Sequence, residues 1–234
     1  MFSKSLVIFI FLILRTSTLQ AAGPSSLTPF LPGETITYDI KKIGMKVGEA
    51  QLTFHGLKRI NGHDCNIIVF VSKAVQFYDK ETICLEPDTF LPLMVKRDLN
   101  IFGKKESILE EYLRKEGKIK ITNHAGDRTE ENVIRKSGNV ENIYGFIYRY
   151  RQRGTVQKGE LIKMILPTKD VQMEAMEKQD MSIGNKHYNA YFLQSSPRQF
   201  NVWFDDSSRK IPLRIDGSSG LGKTSMILKN YKEF

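Results

Sequence analysis

The amino-acid sequence predicts a mainly β protein, an antiparallel meander with one packed helix. In most segments apolar and polar residues alternate, as in residues 36–41, which is the period of a half-buried strand. Turn residues separate these segments. Asn61-Gly62 is the strongest such signal, because both positions tolerate the positive φ of a tight hairpin. Only one segment, residues 140–153, is predicted to be a helix.

The predicted strands follow one another along most of the chain. They cover residues 36–41, 50–55, 67–71, 81–86, 93–101, 106–116, 118–122, 161–166, 171–181, 187–194, 200–205 and 213–216. Residues 67–71 are apolar on both faces, which indicates a central strand. Residues 106–116 fit either a helix face or a strand, and the hairpin spacing favours a strand. Residues 124–138 are polar and predict a loop.

The predicted helix covers residues 140–153, with Asn139 as its N-cap and Gly154 just past its end. Its apolar face is formed at i, i+3, i+4 and i+7 by Ile143, Phe146, Ile147 and Tyr150. Its second half alternates Tyr148 and Tyr150 with Arg149, Arg151 and Arg153. These arginines fit a patch for nucleic acid or glycan. The favoured interpretation is basic side chains near a helix C-terminus, where the helix dipole favours them.

Residues 217–224 match the phosphate-binding loop G-x-x-x-x-G-K-[ST]. That loop needs a following helix packed on a parallel sheet, and only ten residues follow Thr224. The flanking residues alternate like strands, so a glycine-rich turn between two antiparallel strands is favoured. A nucleotide-binding enzyme is the remote alternative.

Residues 1–22 resemble a secretory signal peptide. Lys4 precedes an apolar run at residues 6–14, and small residues follow at 21–23. This run is too short to span a bilayer, which needs about 20 residues. An uncleaved membrane tether is the alternative. We therefore predict export, followed by a single β-rich domain at residues 23–234.

The net charge suggests which surfaces the exported chain binds. Removing Lys4 and Arg15 with the signal lowers the formal net charge from +9 to +7. Such a chain is attracted to anionic surfaces, such as lipid head groups or acidic glycans, unless its charges are simply spread over the surface. A lipid or another anionic envelope component and a peripheral membrane contact are the predicted partners. Nucleic acid is not expected for an exported chain.

Cys65 and Cys84 are the only cysteines, and an oxidising compartment permits a bridge between them. Both being buried free thiols is the alternative. The dispersed histidines predict no metal site, and no cofactor is expected. No serine lies in a G-x-S-x-G elbow, and the adjacent carboxylate pairs would point to opposite faces of a strand. The sequence therefore predicts a protein that is not an enzyme.

Four passages resemble the bacterial exported family called domain of unknown function 3108. They cover nearly the whole mature chain, in the order residues 32–50, 77–92, the helix with 158–168, and 202–222. The sequence departs from the pattern of this family at residues 220–224, where the turn looks like a phosphate loop. The resemblance implies the periplasm of a Gram-negative bacterium. It also implies a long antiparallel sheet curled into an open barrel or β-spiral, with the helix packed on it, and it supplies no catalytic residues.

Such a shape is similar to envelope carriers of lipids and lipoproteins. The first hypothesis is a non-enzymatic envelope protein that holds a lipid or other apolar ligand in the curled sheet. The second is a structural or interaction protein whose barrel is filled by side chains. Strand alternation predicts an apolar ligand face on one side of the sheet, formed by Leu52, Phe54, Val202, Phe204 and Leu213.

Overall fold

Strands make up most of the computed structural model, which describes residues 29–219 and 222–233. They are β1 (Thr35–Lys42), β2 (Met45–Ile60), β3 (His63–Ala74), β4 (Phe77–Leu85), β5 (Pro92–Ile101), β6 (Lys104–Leu113), β7 (Lys118–Ala125), β8 (Arg128–Arg135), β9 (Leu161–Leu166), β10 (Lys169–Ala175), β11 (Gln179–Ile183), β12 (Lys186–Ser196), β13 (Asn201–Asp205), β14 (Pro212–Ser219) and β15 (Gly222–Lys232). The signal-peptide prediction for residues 1–22 lies outside the described residues.

All fifteen strands belong to one antiparallel sheet. Its order is β8-β7-β6-β5-β4-β3-β2-β1-β15-β14-β13-β12-β10-β9, and β11 pairs separately with β12. β1 therefore pairs with both β2 and the last strand, β15. The two outer strands, β8 and β9, do not pair with each other, so the sheet is open. The predicted fold class, an open antiparallel meander with a packed helix, is confirmed.

Two local predictions were wrong. Residues 124–138 were expected to be a loop, but β8 pairs with β7 from His124↔Thr129 to Lys118↔Arg135. β8 is an edge strand whose side chains are almost all exposed, so it needs no apolar alternation. Residues 171–181 were expected to be one strand, but they are divided between β10 and β11. The ambiguous segment 106–116 contains most of strand β6, as favoured.

The helix, α1 (Ile143–Arg151), begins three residues later than predicted and ends two residues earlier. Its N-cap is Asn142 rather than Asn139: the Asn142 Oδ1 accepts hydrogen bonds from the Tyr144 N–H at 2.9 Å and the Gly145 N–H at 3.5 Å. The preceding residues are extended, because Val140 forms a bridge with Ile165 of β9. Pairing with the sheet thus delays the start of the helix.

The core lies between α1 and one face of the sheet, called here the inner face. Aromatic rings make much of this contact. Tyr148 lies 4.8 Å from Phe30 and 5.4 Å from Phe54, and Tyr150 lies 4.4 Å from Phe204, between ring centroids. Among the described residues, no helix is both long and apolar enough to cross a membrane.

Because neighbouring strands are antiparallel, the turns fall at two opposite ends of the sheet. The tip end is the end with the turns at residues 43–44, 75–76, 102–103, 126–127, 167–168 and 197–200, and with the hairpin of β14 and β15. The base end is the end with the turns at residues 61–62, 86–91, 114–117, 184–185 and 206–211. These two ends differ in their side chains.

Candidate functional site

The predicted apolar ligand face is part of the core. Its five residues lie on the inner face, and each is between 0% and 5% exposed: Leu52, Phe54, Val202, Phe204 and Leu213. They pack in one cluster with the buried side of α1. Strand alternation thus placed them on one face, as expected, but side chains of the protein itself cover that face. Ligand binding there stays a prediction.

An ion pair between Glu34 and Arg151 lies inside this core, and both side chains are fully buried. The guanidinium donates to the two carboxylate oxygens at 2.5 and 2.7 Å. The hydroxyls of Tyr148 and Tyr231 donate to the same carboxylate at 3.3 and 2.9 Å. Burial raises the pKa of Tyr148 well above its ordinary value, so this hydroxyl keeps its proton. The pair is fully hydrogen-bonded and fixes the helix to the start of β1.

Arg149 and Arg151 do lie in the last turn of the helix, as the favoured interpretation expected, but the helix dipole is not their only partner. Arg151 is buried, and each of the other two pairs with a carboxylate: Arg149 with Glu141 and Arg153 with Glu160. Sequence spacing contained a signal that was missed. Arg151 lies four residues after Ile147, so it falls on the apolar face of the helix and needs a buried partner.

A second polar group lies on the inner face. The Arg97 guanidinium donates to the Asp79 carboxylate at 2.9 and 2.6 Å and lies 3.6 Å from a Glu81 oxygen. Burial, with a smaller contribution from Asp79 and Glu110, raises the pKa of Glu81 to about 7, although Arg97 opposes the shift. Glu81 is therefore a proton-binding group in the protein interior.

The candidate site is a cleft of about 620 Å³ at the tip end. It lies between the β14–β15 hairpin, the loop from β12 to β13 and the turn from β1 to β2. Basic side chains dominate its lining: Lys41, Lys169, Arg198, Arg214 and Lys223. Its lining contains one carboxylate, Asp216, and three large apolar residues, Ile43, Phe200 and Ile227.

Only part of this positive charge is neutralised. Arg214 donates to Asp216 at 2.7 and 2.9 Å, and its guanidinium lies 4.9 Å from the Trp203 ring. Lys169 lies 4.7 Å from the Phe200 ring centre and donates to the Gln199 side chain. No carboxylate of the described residues forms an ion pair with Lys169, Arg198 or Lys223. The lining of the cleft therefore has an excess of positive charge, which attracts anions.

The phosphate-loop motif forms one wall of this cleft, but as a hairpin. Gly217 pairs with Thr224 and Ser219 with Gly222 across β14 and β15. No helix follows, since β15 continues as a strand to Lys232. These residues therefore do not form a phosphate loop, and the favoured hairpin interpretation is confirmed. A Cβ on Gly217 would lie 3.1 Å from the Phe200 ring, so this glycine allows Phe200 to pack against the strand.

The two cysteines lie far from the cleft. Cys65 and Cys84 are joined by a disulfide between β3 and β4, near the base end, with their Cα atoms 5.2 Å apart. Both are buried and pack with Ile67 in a small apolar cluster. The bridge therefore belongs to the scaffold rather than to the cleft.

Comparisons with known proteins identify a class of fold. No protein-family model and no curated protein matches the sequence. In structure, the chain is similar to a "Beta-barrel-like Protein of Domain of Unknown Function DUF1849 from Brucella abortus". The TM-score is 0.50 and the identity 8%, over 88% of this chain and 99% of that chain.

At this identity the likeness shows the fold alone. The protein thus has a β-rich, barrel-like fold similar to that of the Brucella protein. The narrower resemblance to domain of unknown function 3108 stays a prediction.

Proposed function

We propose that this is a non-catalytic binding protein of the bacterial envelope, which holds the head group of an anionic lipid in the basic cleft. One observation carries the proposal: Lys169, Arg198 and Lys223 line the same cleft without a carboxylate partner among the described residues. The volume of about 620 Å³ falls within the range of about 300–1,000 Å³ typical of ligand sites. Grouped cations of this kind attract anions.

An amphiphilic ligand is favoured over a small free anion, because the lining is not uniformly polar. Phe200, Ile227 and Ile43 lie among the basic residues. These side chains offer apolar contact beside the cationic groups, which is the combination that a head group and the start of an acyl chain require. The signal-like residues 1–22 and the basic mature chain support a location where such lipids are available.

A binding role is favoured over catalysis by the chemistry of the lining. No histidine or cysteine is among the lining residues, and the carboxylate of Asp216 is held by Arg214. Thr224 and Ser225 supply hydroxyls without a neighbouring general base in the cleft.

A second candidate function is a structural or interaction protein with a filled interior. It is favoured by the core itself, because α1 and the Glu34–Arg151 pair occupy the inner face of the sheet. The two candidates differ in whether the cleft binds a ligand.

The test is an isothermal calorimetric titration of the protein with short-chain phosphatidylglycerol, kept below its micelle concentration. Short-chain phosphatidylcholine and inorganic phosphate are the comparison ligands. We expect phosphatidylglycerol to bind, with an affinity that falls as salt is added. Equal binding of inorganic phosphate would indicate a free-anion site, and no binding of any of them would favour the filled structural protein.

The variant Lys169→Ala/Arg198→Ala/Lys223→Ala should weaken phosphatidylglycerol binding by roughly tenfold or more, which is the loss of about 1.4 kcal/mol. The matched control is Lys58→Ala/Arg59→Ala/Lys115→Ala, which removes the same charges near the base end. If the control weakens binding equally, the effect comes from net charge and the cleft is not the site.

A further inference from the structure

Three neighbouring hairpins at the tip end hold large apolar side chains out in solvent. Ile43 is 91% exposed, Val75 87% and Phe102 75%, and Met45 beside the first turn is 69% exposed. These are the four most exposed large apolar residues among those described. Other exposed apolar residues, such as Leu57 at 61% and Leu161 at 55%, are less exposed and lie within strands. The apolar residues at the tip end are therefore concentrated at turns.

Turn chemistry does not explain Ile43 or Phe102. Ile43-Gly44 has φ angles of 50° and 78°, and Phe102-Gly103 has 52° and 84°. Asn61-Gly62 at the base end has nearly the same angles, 49° and 81°. Asparagine suits this left-handed conformation, whereas a β-branched isoleucine is strained in it. Strain retained at an exposed turn points to a role in contact with something outside the fold.

The charges around these turns are all positive. Within two residues of the turns, in residues 41–46, 73–78 and 100–105, the sequence has six lysines and no aspartate or glutamate. They are Lys41, Lys42, Lys46, Lys73, Lys104 and Lys105. Of these, Lys46 pairs with Asp39 and Glu49, which lie on the adjoining strands. The turns at the base end contain both signs, as in Arg59 and Asp64 or Asp206 and Arg209. A surface that is both apolar and anionic would match these three turns.

The three turns lie side by side. The Phe102 N–H donates to the Gln76 carbonyl oxygen at 2.8 Å, so the second and third turns touch. They end at the same level, because Ala74 pairs with Phe77 and Ile101 pairs with both Phe77 and Lys104. Ala74 pairs with Gly48 on the other side, so the Ile43 turn extends further. Successive turns are separated by two strand spacings, or about 10 Å.

We propose that the tip end docks on an anionic membrane surface, with Ile43, Val75 and Phe102 inserted at the level of the head groups. Lys41, Lys73, Lys104 and Lys105 would then lie beside lipid phosphates. A lipid surface fits better than a folded partner. The apolar side chains are separate points on successive hairpins with lysines between them, and a fluid bilayer accepts separate side chains. A protein interface needs a continuous apolar centre.

This docking does not require that the cleft bind a head group. Ile43 belongs to both the cleft and the tip end, whereas Val75 and Phe102 do not line the cleft. Docking would bring the mouth of the cleft to the membrane surface. The two proposals can therefore be tested apart, by variants at Val75 and Phe102 and with vesicles in place of short-chain lipid.

The experiment is co-sedimentation of the mature chain with vesicles of phosphatidylcholine, alone or mixed with phosphatidylglycerol. We expect binding to the mixed vesicles, which should weaken by about tenfold in Val75→Ser/Phe102→Asn. Thermal unfolding of this variant should not occur at a lower temperature, because asparagine tolerates the positive φ at position 102. Its binding of short-chain phosphatidylglycerol should be unchanged. The matched control, Leu57→Thr/Leu161→Thr, removes two other exposed apolar side chains and should bind vesicles like the wild type.

A second readout reports insertion directly. Phe102→Trp adds an indole to a chain with one buried tryptophan, Trp203, and its emission should shift to shorter wavelength on adding mixed vesicles. Vesicle binding that is equal in wild type and Val75→Ser/Phe102→Asn, or an unshifted emission, would overturn the proposal. So would concentration-dependent dimers that this variant abolishes, because the tip end would then contact a second copy of the chain.

Discussion

The base end and the tip end of the sheet are built from the same hairpins, yet they carry different side chains. The base end has the buried Glu34–Arg151 pair, the Cys65–Cys84 disulfide and the favourable Asn61-Gly62 turn. There Lys210 also donates to the carbonyls of Arg153 and Gly154, just after the end of the helix. The tip end has exposed apolar turns and a cleft with uncompensated positive charge.

The base end thus stabilises the fold, whereas the tip end is available for contact with other molecules. Interactions that fix the helix and the strands lie at the base end, while the tip end retains side chains that lower stability or solubility. An antiparallel meander permits this division of roles between the two ends. Alternate turns fall at opposite ends of the sheet, so their sequences can differ independently. Four predictions test the comparison, in order of decreasing effect.

Breaking the buried pair should have the largest effect. Arg151→Met leaves the Glu34 carboxylate buried without its cation, which should cost roughly 3–5 kcal/mol of unfolding free energy in urea denaturation. Removing both charges in Glu34→Gln/Arg151→Met should recover part of the loss. A loss below about 1 kcal/mol in the single variant would mean that the base end does not depend on this pair.

Removing the disulfide should cost somewhat less. The bridge closes a loop with a sequence separation of 19, so Cys65→Ala/Cys84→Ala should lose about 3 kcal/mol of unfolding free energy. Alkylation of the unreduced, denatured wild type should modify neither thiol. Modification of both thiols would show that the bridge is absent from the protein.

Glu81, between the two ends, should make stability depend on pH. Burial raises its pKa from 4.5 to about 7, so the folded state binds this proton more tightly than the unfolded state. Stability should fall as pH rises from about 4.5 to about 7. The unfolding free energy of Glu81→Gln should then exceed that of the wild type by roughly 3 kcal/mol at about pH 8, and match it near pH 4. Parallel pH profiles for the two proteins would contradict the raised pKa.

Exchanging the turn residues Ile43 and Asn61 between the two ends should change the unfolding free energy least. It is also the most direct comparison of the tip end with the base end. Ile43→Asn should raise the unfolding free energy by about 1 kcal/mol, because asparagine tolerates the positive φ there. Asn61→Ile, its counterpart at the base end, should lower it by a similar amount. If Ile43→Asn is destabilising, the exposed isoleucine contributes to the fold and the argument from strain fails.

The sequence predicted more of the scaffold than of the site. Alternation placed Leu52 and Phe204 on one face, and hairpin spacing favoured a strand where β6 lies. The cleft was not predicted, because its basic residues come from separate turns that meet only when the sheet is assembled. Lys223 and Thr224 were singled out for a phosphate loop that does not exist, although both line the cleft.

What the sequence determined by itself is local: which segments are strands, where the tight turns fall, and which side of each strand faces the core. These depend on side-chain period and backbone preference over a few residues. Only the tertiary structure decided the start of the helix at Ile143, the pairing of the edge strand β8, and the partner of Arg151. That partner, Glu34, is 117 residues away, and it becomes a neighbour only because the helix packs across the start of β1.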